Sequence, residues 1–173
     1  MRHTLDPKLD VVFKLLFAQP QNRELLVSLL TAVLQPATPI VEVSVLNPEV
    51  PRMVARDKGA VLDLLVRLGD GSLVDVEMQT RSRPGLRARA AYYWARMLAS
   101  ELRRGQDYER PRKTVLVLLL GQRELRTERF HCIFQLREVR EHELLTELCE
   151  IHTVELPKLG GVAAEGEEGA LVR

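Results

Sequence analysis

Polar residues stand inside two apolar runs separated by a short turn. Asp63 lies within Val61-Leu62-Asp63-Leu64-Leu65-Val66, and Glu77 and Gln79 lie within Leu73-Val74-Asp75-Val76-Glu77-Met78-Gln79. A carboxylate buried among apolar neighbours without a partner is costly. A divalent cation would compensate it, because hard cations such as Mg2+ take carboxylate oxygens. Gly69-Asp70-Gly71, between the runs, is a hairpin turn signal. Asp63 and Glu77 are equally far from Asp70 along the chain, so a hairpin sets them opposite each other or nearly so. Cross-strand neighbours have Cβ atoms ~5 Å apart. Carboxylates that close repel unless a metal or a proton sits between them. Gln79, two residues on, shares the face of Glu77. The alternative is structural: Asp63 pairs with an arginine such as Arg67, and Asp75 and Glu77 face water.

The elements that must position these residues follow from periodicity. Residues 10–17 (DVVFKLLF) and 23–34 (RELLVSLLTAVL) show helical spacing, the second with Leu25, Leu26, Leu29, Leu30 and Val33 on one face. Residues 39–46 alternate as a strand, and 60–68 with 73–79 form the hairpin. Pro84-Gly85 opens a helix over 86–104, with Gly105 as its stop. Thr114 to Leu120 (TVLVLLL) reads as a strand buried on both faces. Residues 128–136 and 149–156 alternate as strands, and 139–148 read as a short helix. This order implies an α/β or α+β sheet covered by helices.

Asp63, the short hairpin and Glu77-Met78-Gln79 resemble the PD-(D/E)XK nuclease pattern in its E-x-Q form. More narrowly, the chain resembles the recombination-promoting nucleases of that superfamily, a family long labelled transposases. LDPKLDVVFKLLF, KGAVLDLLVRLGDGSLVDVEMQ, RARAAYYWARMLASELRRGQDYERPRKTVLVLLL and HTVELPKL match the family in the same order. The resemblance covers nearly the whole chain.

It implies an α/β, restriction-endonuclease-like mixed sheet flanked by helices. Residues 1–158 read as the nuclease-like domain, and the Gly- and Glu-rich residues 159–173 as an acidic, flexible tail. The resemblance also implies Mg2+-dependent DNA cleavage of low sequence specificity, with Mn2+ as a substitute, in the service of recombination. Asp63 and Glu77 would hold the metal with the Met78 carbonyl, and Asp10 would be a further metal-site acid. Asp10 reads equally as the cap of a helix starting at Val11. Gln79 stands where the wider superfamily has a lysine. Its amide can orient a water or phosphate but carries no charge. The competing class is a catalytically silent nucleic-acid-binding or interaction domain that kept the fold. Family members usually run on past the VEL-x-K motif into further helices, whereas this sequence stops soon after it.

DNA is the expected partner, and Lys58, Arg81, Arg87, Arg89, Arg96, Arg103 and Arg104 are the candidate phosphate contacts. Arg89, Tyr93 and Arg96 share a helical face. The bland reading of these cations is a solvated helix face, and Tyr92, Tyr93 and Trp94 read as core sooner than as base-stacking groups. A homodimer would suit a double-strand cut, although no interface is marked in the sequence.

Composition frames these readings. The chain has 173 residues, 46% hydrophobic and 28% charged, which excludes disordered and collagen-like classes. Its net charge of +1 hides an asymmetry. Residues 81–113 hold ten Arg and Lys against three acids, a net +7, and residues 138–173 carry a net −6. Cys132 and Cys149 are too few for a disulfide framework and lack zinc spacing. His3, His131, His142 and His152 are scattered. The first ten residues lack a signal-peptide h-region, and no run approaches the ~20 residues of a membrane span. A cytoplasmic, nucleoid-associated protein of bacterial type is the expectation.

Overall fold

In a computed structural model, the structure describes residues 10–46, 49–50, 60–101 and 111–161. Helix α1 (Asp10–Phe17) and helix α2 (Arg23–Leu34) follow one another through a 3-10 turn at Pro20–Asn22. Strands β1 (Val43–Val45), β2 (Glu49–Val50), β3 (Ala60–Val61), β4 (Leu64–Leu68) and β5 (Leu73–Gln79) come next. Helix α3 (Leu86–Ser100), strands β6 (Thr114–Leu120), β7 (His131–Phe134) and β8 (Cys149–Glu155), and a 3-10 segment at Leu156–Gly161 complete the order.

Six strands form one mixed sheet in the order β1-β4-β5-β6-β8-β7. The β1/β4, β4/β5 and β7/β8 pairs are antiparallel, and β5/β6 and β6/β8 are parallel. The fold is thus the α/β, restriction-endonuclease-like arrangement that the resemblance implies. Strands β2 and β3 form a separate two-stranded pair. The run TVLVLLL becomes the central parallel strand β6, buried at every position because helices cover both faces.

Alternation along the strands divides the core. Val74, Val76 and Met78 of β5 and Val115, Val117 and Leu119 of β6 face Phe13 of α1 and Leu26, Leu30 and Val33 of α2. On the opposite face Leu86 and Ala90 of α3 pack on Leu116, Leu118 and Leu120. Met97 packs with Leu62, Leu65 and Leu73. Tyr93 and Trp94 lie half-buried against this face, whereas Tyr92 is 36% exposed. Among the described residues no helix is long and apolar enough to cross a membrane.

The hairpin turn holds as expected. Leu68 N–H donates to Ser72 O, Ser72 N–H to Asp70 Oδ1, and Gly71 takes φ +89. A side chain at Gly71 would be strained by that φ and would meet Arg112 at 3.2 Å.

Several expected elements differ. Residues 139–148 form turns, with an isolated bridge between Arg137 and Leu144, rather than a helix. The Glu138 carboxylate takes the N–H groups of Arg140 and Glu141, and His142 adopts φ +58. Val139 and Leu145 are 86% and 77% exposed, so no apolar surface is there to drive a helix. Strand β1 and strand β7 are shorter than the alternating runs around them. Leu25 is exposed, and only Leu26, Leu30 and Val33 of its expected face are buried. Helix α3 ends at Ser100, where Glu101 caps it by donating its N–H to Leu98 O, short of the expected end at Arg104.

Candidate active site

The β4/β5 register brings the acids together. Leu64 pairs with Val76 and Leu65 with Asp75, so the register carried one residue further sets Asp63 against Glu77. Asp63 sits in the break between β3 and β4, where its backbone leaves the ladder. There the two residues bind each other's strands. Asp63 N–H donates to Glu77 Oε1 at 3.0 Å, and Met78 N–H donates to Asp63 Oδ2 at 3.2 Å. Strand β5 therefore holds both carboxyl groups beside one another at one point of the sheet.

The arginine-pairing alternative does not hold. Asp63 Oδ1 is 3.2 Å from Lys14 Nζ, on α1. Arg67 instead forks onto Glu101 at 2.7 and 3.1 Å and donates to Gly71 O. Asp75 and Glu77 do not face water either, being 0% and 4% exposed. The alternation of β5 suggested a solvated face, but α3 covers that face.

Burial of acids side by side changes their chemistry. Loss of hydration first, and the Asp63 charge second, push the Glu77 carboxyl up to about 7. Arg89, on α3, pulls in the opposite direction. Asp75 lies well above the usual carboxylate range through burial and then the charges of Glu77 and Asp63. Neither Asp75 oxygen has a hydrogen-bond partner among the described residues. The Tyr93 phenol is raised by burial and then by the charge of Glu77.

These groups suit a hard divalent cation. Among the described residues no three His, Cys, Asp or Glu side chains form a metal-holding group. Mg2+, however, is held by one or two carboxylates and keeps several waters. Asp63 and Glu77 supply two adjacent carboxylates whose mutual repulsion a cation would relieve. Met78 lies between Glu77 and Gln79 in sequence, and its carbonyl accepts the Gln79 amide at 3.1 Å. Asp10 is the first residue of α1, and its side chain lies outside what the structure describes.

The candidate phosphate contacts separate into groups. Arg81 is exposed just beyond β5. Arg89 is half-buried, its guanidinium 5.9 Å from the Tyr93 ring centroid and its Nη2 without a hydrogen-bond partner among the described residues. Arg87 is exposed but engaged with the Glu124 side chain and carbonyl at 3.0 and 2.9 Å. Arg96 is only 7% exposed, so it is withdrawn from the surface expected of it as a phosphate contact. Its place on the sheet-facing side of α3, beside Met97, is the reason. Lys58, Arg103 and Arg104 lie outside the described residues.

Two features of this region escaped the sequence. Lys14 had no signal beyond being a charge in an apolar helix. The HTVELPKL segment, in contrast, works as a clasp. Glu155 and Lys158 are both buried and pair at 2.7 Å. Glu155 accepts the N–H groups of Glu124 and Leu125, and Lys158 donates to the carbonyls of Leu125 and Thr127.

Comparison with known proteins bears on the family. A family model described as a PD-(D/E)XK nuclease family transposase matches residues 7–171 of the 173. No curated protein and no solved structure matches the chain.

Proposed function

Because the chain belongs to the PD-(D/E)XK nuclease family transposases, we propose that it is a Mg2+-dependent DNA endonuclease of low sequence specificity. The observation that carries this reading is the pairing of Asp63 with Glu77 across the hairpin, one carboxyl half-open and the other buried. Asp63, Glu77 and the Met78 carbonyl would hold Mg2+ or Mn2+, with Asp10 as a further acid. When bound, the cation supplies activation of a water and stabilisation of charge on the phosphate.

The chain's own residues do the rest. Glu77, raised to about 7, would give up its proton readily once a positive charge is near. The Gln79 amide orients the water or the scissile phosphate. Arg81 and Arg89, with Arg87 on release from Glu124, draw the backbone toward the acids. Lys58, Arg103 and Arg104 would extend that footprint. Phosphate contacts of this kind provide affinity with little sequence information, which is the basis for low specificity. Breaks of this kind promote recombination, and a cytoplasmic, nucleoid-associated site of action follows from the substrate. Residues 1–158 would make up the nuclease-like domain, with 159–173 as a tail.

Purified protein should nick supercoiled plasmid with Mg2+ or Mn2+, and Asp63→Ala and Glu77→Ala should abolish nicking. Full activity in both variants would refute the assignment. A silent DNA-binding domain is the second reading, favoured by the uncharged Gln79 whose amide is turned onto Met78 O. Binding with a steep salt slope, and no cleavage in any divalent metal, would establish it.

A further inference from the structure

We propose that Lys14, on helix α1, supplies the positive charge that strand β5 lacks at Gln79, and contacts the phosphate at the point of cleavage. The geometry that points to it is local. Phe13 is fully buried in the core with the β5 and β6 valines, and Phe17 packs beside it with ring centroids 5.0 Å apart, which anchors α1 on the sheet. The next residue, Lys14, is thereby carried to the hairpin, where its Nζ lies 3.2 Å from Asp63 Oδ1. The other Asp63 oxygen is occupied by Met78 N–H. Lys14 thus holds the Asp63 oxygen left for a cation.

The lysine side chain is 38% exposed, against 18% for Asp63, so the ammonium lies at the rim of the site. A flexible four-carbon stem lets it turn from Asp63 to an oxygen of an incoming phosphate. The substrate then finds Lys14 on the Asp63 side and Arg89 on the Glu77 side. Arg67, on β4, is taken by Glu101. A helix therefore provides what the strand does not.

The chemical role rests on the nuclease reading, whereas the phosphate contact does not, so two readouts are needed. Lys14→Met keeps the aliphatic stem and removes the charge, and a thermal melt checks that it folds. Fluorescence anisotropy with a short DNA duplex in Ca2+ reads the contact. Lys14→Met should weaken binding about tenfold and reduce the salt slope by about one, while Lys14→Arg keeps most of both. Unchanged affinity and slope in Lys14→Met would overturn the proposal. Plasmid nicking with Mg2+ reads the role: Lys14→Met should lose about a hundredfold, the scale of removing one charge-stabilising donor. Nicking at the wild-type rate would likewise overturn it. If the wild type cleaves nothing while Lys14→Met still loses affinity, the nuclease reading falls and the Lys14 phosphate contact is supported.

Discussion

Replacing Glu77 with Gln should make the protein more stable while removing its proposed activity. Glu77 is 4% exposed, and burial with the Asp63 charge raises its carboxyl from 4.5 to about 7. The sign follows from linkage. Below about pH 4.5 the group is protonated in the folded and unfolded chains alike, so it costs nothing. As pH rises the unfolded chain ionises first, and the folded state carries a growing penalty that is complete above about 7. At ~1.4 kcal/mol per pH unit, the interval from 4.5 to about 7 corresponds to about 3 kcal/mol. Gln retains an Oε1 that accepts from Asp63 N–H, so that hydrogen bond survives. In a chain of this size the relief should raise Tm by about 5–10 °C. Thermal melts at pH 8 and pH 4.5, with EDTA present, measure it. The gain should be large at pH 8 and nearly absent at pH 4.5. A variant no more stable than wild type at pH 8, or equally stabilised at both pH values, would refute the reasoning. Adding Mg2+ should raise the Tm of wild type more than that of Glu77→Gln, since only the carboxylate offers a cation its charge.

Asp63→Asn should lose nicking entirely while costing only about 1 kcal/mol of stability in urea melts, because the amide oxygen can still accept from Met78 N–H. A stability loss several times larger would mean that Asp63 is mainly structural. Acid should unfold the protein in two stages. Burial and then His152 lower His131 to about 4, so that stability is lost as pH falls from 6.5 to about 4. Glu150 is lowered to about 2 by its hydrogen bond to His152, with Lys113 and Gln135 assisting, so a further loss follows between 4.5 and about 2. Denaturant midpoints across pH should show both, and His131→Asn should remove the first; an unchanged curve in that variant would refute its origin. Lys158→Met should cost about 3–5 kcal/mol in urea unfolding, because Glu155 is left charged and buried. Adding Glu155→Gln should recover part of that, and a loss under about 1 kcal/mol in the single variant would contradict the clasp.

Much of the frame was legible because it is written in short-range patterns. Gly69-Asp70-Gly71 fixes a hairpin by its turn chemistry, and a symmetric count about Asp70 then sets Asp63 against Glu77, the register that β4 and β5 adopt. TVLVLLL, with no polar residue beyond its threonine, could only be a strand covered on both sides, and it is the centre of the sheet. Where the local signal was ambiguous, packing decided. Residues 139–148 carry a helix-like composition, yet no apolar surface is offered to Val139 or Leu145, and side-chain bonds from Glu138 turn the chain instead. Leu25 belongs to a helical stripe, but only the part of that stripe aimed at the sheet is buried.

By itself, then, the sequence determined which residues could be acids on neighbouring strands and how far apart the turn would set them. Only the tertiary structure decided what those acids experience. Alternation along β5 gives Asp75 and Glu77 one face, but water or α3 could have lain against it, and α3 does. The same contact buries Arg96 and leaves Arg89 beside Glu77. Lys14 is far from Asp63 in the chain and meets it because Phe13 seats α1 on the sheet. Periodicity is a property of neighbours along the backbone, whereas dielectric, charge state and ion pairing depend on what the fold sets against each face.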